Sequence, residues 1–131
     1  MALELTVDMQ EDLAIVGLYG NVSSTDAELL NNSFDRLAQA NHAGILLDFQ
    51  DLASINSTGL AALASLVRRS LERCKNDRGK QPVVLCHVNP RIAYLLQLSG
   101  LDRFVTIVDS REEGIQLTSQ QIALGKEGGM L

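Results

Sequence analysis

Asp48-Phe49-Gln50-Asp51-Leu52-Ala53-Ser54-Ile55-Asn56-Ser57-Thr58-Gly59-Leu60 is the stretch on which the reading of the chain turns. Before it runs Ala43-Gly44-Ile45-Leu46-Leu47-Asp48-Phe49, a short and nearly continuous apolar segment of the kind that forms a central strand covered on both faces. After it Leu60, Leu63, Ala64, Val67, Leu71 and Cys74 recur at helical spacing. Asn56, Ser57 and Thr58 lie between, and their short polar side chains can accept from the free N–H groups of a helix's first turn. The stretch therefore reads as the end of a strand, a loop and a helix start. Such a start leaves unsatisfied backbone donors and a partial positive charge, where a phosphate on a hydroxyl is tolerated. Ser57 is the candidate, set against the ordinary role of a Ser at this position, which is to cap the helix.

Working outward towards the amino terminus, Leu3, Leu5, Val7 and Met9 alternate with Glu4, Thr6 and Asp8, the period of a strand with one wet face. A polar turn at Gln10-Glu11-Asp12 leads into Leu13-Ala14-Ile15-Val16-Gly17-Leu18-Tyr19, so the two runs read as a hairpin ending at Gly20. A helix follows, with capping-box spacing at Thr25 and Glu28 and a buried stripe of Ala27, Leu30, Phe34, Leu37 and Ala38, closing at Asn41 and His42. His42 reads as a solvated loop residue.

Towards the carboxyl terminus, Arg68, Arg69, Arg73 and Lys75 gather in the last turns of the central helix, where positive charge complements the helix dipole. A turn at Asn76-Asp77-Arg78-Gly79-Lys80 precedes the strand Val83-Val84-Leu85-Cys86-His87-Val88, with Pro82 at its opening and His87 as a strand-end residue holding a hydrogen-bond partner. Asn89 as cap with Pro90 at the first helical position opens a helix through Ile92, Leu95 and Leu96 that stops at Gly100. Phe104-Val105-Thr106-Ile107-Val108 is the last strand. Ser110 and Glu113 again have capping-box spacing and open a final helix through Leu124, in which Gly114 weakens the first turns. Residues 125–131 read as a disordered tail. The order strand, strand, helix, strand, helix, strand, helix, strand, helix requires crossover helices and a mostly parallel α/β sheet, with the first strand antiparallel.

Composition removes several classes of function. The 131 residues fit one domain, over 1–124, with a core of its own. A net charge of −5 argues against a nucleic-acid surface, which needs clustered Lys and Arg, and 4% aromatic residues with no Trp leave little to stack on bases. The apolar runs fall far short of the roughly 20 residues that span a bilayer, and no basic region precedes an apolar one at the amino terminus, so a soluble cytoplasmic protein is expected. Cys74 and Cys86 are too few and too far apart for a disulfide framework or a zinc pattern and read as buried thiols, while Asp48 with Asp51 is a weak basis for a metal site. No metal or cofactor is expected. Catalysis is not expected either: Ile55-Asn56-Ser57-Thr58-Gly59 lacks the first Gly of a G-x-S-x-G elbow, and there is no P-loop.

Ile55-Asn56-Ser57-Thr58-Gly59-Leu60, preceded by Leu47-Asp48-Phe49 and Leu52, resembles the signature of STAS domains. In bacterial anti-sigma factor antagonists that signature reads roughly as a hydrophobic strand, Asp, then D-S-[ST]-G-L. The resemblance runs from about Leu3 to Leu117 and includes the order of elements. It implies an antagonist that binds an anti-sigma factor serine kinase, is switched off by phosphorylation of Ser57, and is reset by a PP2C-type phosphatase. It also implies a partner surface of Ser23, Asn56, Ser57, Thr58 and Gly59 on a monomer or weak homodimer. Two positions depart from the family pattern: Asn56 stands where Asp is usual, and Ser23 stands near where phosphorylatable members often carry Asp after the second strand. A STAS interaction module that is never phosphorylated, fixed in a stress-signalling or lipid-transport assembly, is the alternative.

Overall fold

The structure is a computed structural model and describes residues 3–10, 13–22, 26–39, 44–73 and 83–129. The alternating first runs form β1 (Glu4–Gln10) and β2 (Leu13–Val22), paired antiparallel from Glu4 opposite Tyr19 to Gln10 opposite Leu13. Then come α1 (Ala27–Gln39), β3 (Gly44–Ile55), α2 (Ser57–Arg73), β4 (Val83–Cys86), α3 (Pro90–Ser99), β5 (Thr106–Val108) and α4 (Arg111–Gly129). The strands lie side by side in chain order, with β2 through β5 parallel. The expected α/β class, with its antiparallel first strand and parallel remainder, is the one found. Among the described residues no helix is long and apolar enough to cross a membrane.

Both faces of the sheet are covered, which is why its central strands are apolar on both sides. One face carries the larger core, where Leu30, Phe34 and Leu37 of α1, Leu63 and Leu66 of α2, and Ile92 and Leu96 of α3 pack on Ile45, Leu47, Phe49 and Leu85. The other face is covered by α4, where Ile115 and Leu117 lie against Leu13, Ile15, Leu46, Val84 and Cys86. Gly114, read as a weak point of α4, has a packing reason: a Cβ there would come within 2.6 Å of the buried Leu46 side chain. α4 continues through Gly129 and so takes in five of the seven residues read as a tail.

Three strand boundaries and the buried face of one helix differ from the sequence reading. β3 does not stop at Phe49 but runs to Ile55, because Asp51, Leu52, Ser54 and Ile55 find partners in Tyr19, Gly20, Asn21 and Val22. Two register shifts, the second beside Gly20 in left-handed backbone at φ 92°, let β2 keep pace, and ladder pairing outweighs the loop preference of the polar side chains. β4 ends at Cys86 because His87 turns out of the strand with φ 54°. β5 is shortened to three residues, since Leu101–Arg103 form a 3-10 turn and Phe104 is half exposed beyond it. α2, finally, faces the sheet with Ala62, Leu63, Leu66, Val67 and Ser70, whereas Leu60, Ala64 and Leu71 are only half buried. From Leu60 to Val67 the helix is apolar on every side but that of Ser65, and spacing alone does not orient such a run. Arg69 is not simply a complement to the helix dipole: it pairs with Asp35 of α1.

Candidate functional site

The helix start at the carboxyl end of β3 is built by Asn56. Its carbonyl accepts from the Leu60 N–H at 3.0 Å and its side-chain Oδ1 from the Gly59 N–H at 2.8 Å, the two bonds that define an N-cap. Asn56 is the cap, and Ser57 is the first residue inside the helix, so its hydroxyl is free of the capping role. Ser57 and Thr58 are exposed, Asn56 is half buried, and Gly59 is buried with its N–H engaged. The geometry of a first turn gives the N–H groups of Ser57 and Thr58 no intrahelical acceptor, and the first turn of α2 holds no acidic side chain. Positive potential at this end therefore meets no anion from the first turn itself.

Neighbouring elements fix the position of this turn. Ser54 Oγ donates to Asn21 Oδ1 at 3.0 Å, joining the ends of β3 and β2. Asn89 caps α3 by accepting from the Ile92 N–H at 2.9 Å, while its Nδ2 donates to the Leu52 carbonyl at 3.3 Å. The starts of α2 and α3 thus emerge together at the carboxyl ends of parallel strands, where open α/β sheets present their binding surfaces. Ser23, also read as part of the surface, lies outside the described residues, as do Thr25, His42 and Cys74.

Capping geometry carries a stability prediction. Asn56→Ala should destabilise the fold by about 1 kcal/mol, whereas Ser57→Ala should change it by no more than about 0.5 kcal/mol, since no cap is lost. Urea unfolding of both variants measures the difference, and an equal loss at the two positions would return the cap to Ser57.

A second polar constellation, invisible as a motif, centres on Asp48. Cross-strand pairing sets Thr6, Gly17, Asp48, Cys86 and Val108 in one row on the α4 face of the sheet. Asp48 is 5% exposed and accepts from His87 Nδ1 at 2.9 Å, from the Gln50 N–H at 3.0 Å and from Arg111 Nε at 2.9 Å. Burial alone would raise its carboxyl; the bonds from His87, Gln50 and Arg111 outweigh burial and hold it below the usual carboxylate range. Beside it burial, together with the Asp48 charge and hydrogen bond, pushes the Cys86 thiol up to about 12. A cavity of about 160 Å³ opens over Asp48, lined among others by Gly17, Tyr19, His87 and Arg111, with Cys86 buried behind Asp48 and outside the lining. A Cβ on Gly17 would lie 2.7 Å from Thr6 Oγ1 and 2.9 Å from the Tyr19 hydroxyl, so only glycine leaves the Tyr19 ring where it is. The sequence did hold one signal for this cluster: Asp48 is the charged residue inside an apolar run, and a buried carboxylate needs donors.

A mostly parallel sheet opened by an antiparallel strand, with an exposed Ser on the first turn of α2, is the arrangement that the comparisons with known proteins match. The chain belongs to the STAS domain family, whose model matches residues 4–114. Among curated proteins it is similar to one from Bordetella bronchiseptica that bears the name anti-sigma factor antagonist BtrV, with 27% identity over 84% of this chain and 90% of that one. Among solved structures it is similar to one from Thermotoga maritima named for an anti-sigma factor antagonist (TM-score 0.75, 22% identity, 88% of this chain and 94% of that one). It is also similar to the Bacillus cell fate determinant SpoIIAA in its phosphorylated form (TM-score 0.64, 18% identity, 86% of this chain and 97% of that one).

Proposed function

We propose that this protein is an anti-sigma factor antagonist: a binding module, not an enzyme, that captures an anti-sigma factor serine kinase and is released from it by phosphorylation of Ser57. The observation that carries the reading is the exposed Ser57 hydroxyl on a first turn already capped by Asn56. The name of the 27% identical relative and the phosphorylated state of SpoIIAA support it. Asn56, Ser57 and Thr58 supply the contact surface, with Gly59 beneath them, and Ser23, outside the described residues, is assigned to it by the family resemblance alone. A phosphate adds about −1.5 to −2 charges, which the donors of the first turn accept locally but an interface shaped around a neutral hydroxyl does not. A PP2C-type phosphatase acting on the phosphorylated form restores binding.

Incubation with a cognate kinase and ATP, followed by mass spectrometry, tests the reading: one phosphate is expected, on Ser57. Asn56→Asp should raise the rate, because Asp caps as well as Asn and restores the carboxylate usual beside the phosphoacceptor. An equal or slower rate would show that the kinase does not read that carboxylate. Absence of phosphate on Ser57 would leave a constitutive interaction module.

A further inference from the structure

Asp48, Cys86 and His87 meet by an exception to strand geometry. Successive strand residues point to opposite faces, so His87 would ordinarily turn away from the side on which Cys86 lies. Instead β4 ends at Cys86 and His87 adopts φ 54°, a left-handed conformation that bulky side chains seldom occupy. The reversal brings the imidazole back beside its neighbour's face, with Nδ1 2.9 Å from Asp48 Oδ1. Cys86 is the direct cross-strand partner of Asp48, and a sulfur, a nitrogen and a carboxylate oxygen from the three residues lie within 4.8 Å of one another.

We propose that Asp48, Cys86 and His87 form a site for one zinc-like divalent cation, with water from the adjoining cavity as its fourth ligand. Thiolate, imidazole and carboxylate together suit zinc, whereas magnesium and calcium take oxygen alone. The 160 Å³ cavity supplies both the entry path and room for that water. Arg111 Nε and the Gln50 N–H already grip the carboxylate from outside and orient it as hydrogen bonds to metal ligands do. On binding, His87 exchanges its bond to Asp48 for one from Nδ1 to the ion, the Nδ1 proton passing to solvent while the neutral ring carries its N–H on Nε2 with a proton taken from solvent, and the Cys86 thiol gives its proton to solvent. Two anionic ligands then balance the charge of the ion within a buried setting, where an unbalanced charge is costly. The sequence reading expected no metal because it weighed Cys86 against Cys74 and Asp48 against Asp51; folding pairs them differently.

The test uses the whole chain carrying Cys74→Ser, so that Cys86 is its single thiol. Calorimetric titration with zinc should give one ion per chain, and cobalt in its place should produce thiolate-to-metal charge-transfer absorption. His87→Ala should weaken zinc binding by more than about 100-fold, and Cys86→Ser should abolish the cobalt band. Absence of that band, or zinc affinity unchanged in both variants, overturns the proposal and leaves only surface carboxylates as binders. Because the band is read with all three ligands intact, the outcome stands even where a variant fails to fold.

Discussion

Ser57→Asp is expected to bind the anti-sigma factor partner several hundred-fold more weakly than the unaltered protein while remaining folded. On the proposed reading the size follows from placing a charge in a contact shaped around a neutral hydroxyl, a penalty of roughly 3 to 5 kcal/mol. The fold should not suffer, because a carboxylate on the first turn of a helix is favoured by about 0.3 to 1 kcal/mol, and α2 has no acidic residue there to repel it. Ser57→Ala should keep its affinity, since it brings no charge and removes no cap. Calorimetric titration of both variants, with circular dichroism to confirm folding, decides the matter. A folded Ser57→Asp protein of unchanged affinity would place the interface elsewhere.

Phe49→Ala should cost about 3 to 5 kcal/mol, a large part of the roughly 5 to 15 kcal/mol that hold a domain of this size together. Phe49 is 1% exposed and is among the largest fully buried side chains, packed in the core beneath α1 and α2. Little space remains for neighbours to collapse into, so the cavity persists and adds to the lost burial. Phe104 provides the control. Read from sequence as the first residue of a strand, it is 50% exposed beside an open apolar groove of about 500 Å³. Its truncation should cost less than about 1 kcal/mol. Denaturant unfolding of the two variants side by side tests both numbers, and comparable losses would show that Phe104 is buried as a strand residue would be.

Much of the site lay open in the sequence because helix starts are local events. The cap at Asn89, Pro90 in the first helical position and the left-handed Gly100 at the end of α3 all depend on residues within a few positions of one another. The same holds for Ser110, whose Oγ accepts from the Glu113 N–H at 3.1 Å. Three polar residues in a row at 56–58 located the start of α2 within one turn, but did not say which of them caps it. That depended on where β3 ends, and β3 ends six residues later than its apolar run because β2 offers it partners.

By itself the sequence determined the kind and order of the elements, the parallel sheet they require, and the family to which the Ser57 turn belongs. Periodicity and punctuation suffice for these, since each is set by neighbours along the chain. Tertiary structure alone decided which side of α2 is buried, left Ser57 outside the capping bond, and assembled the cluster on Asp48. His87 and Arg111 reach that carboxylate from 39 and 63 residues away. Strand register and the backbone reversal at His87 bring those charges together, and neither leaves a repeating mark in the order of residues.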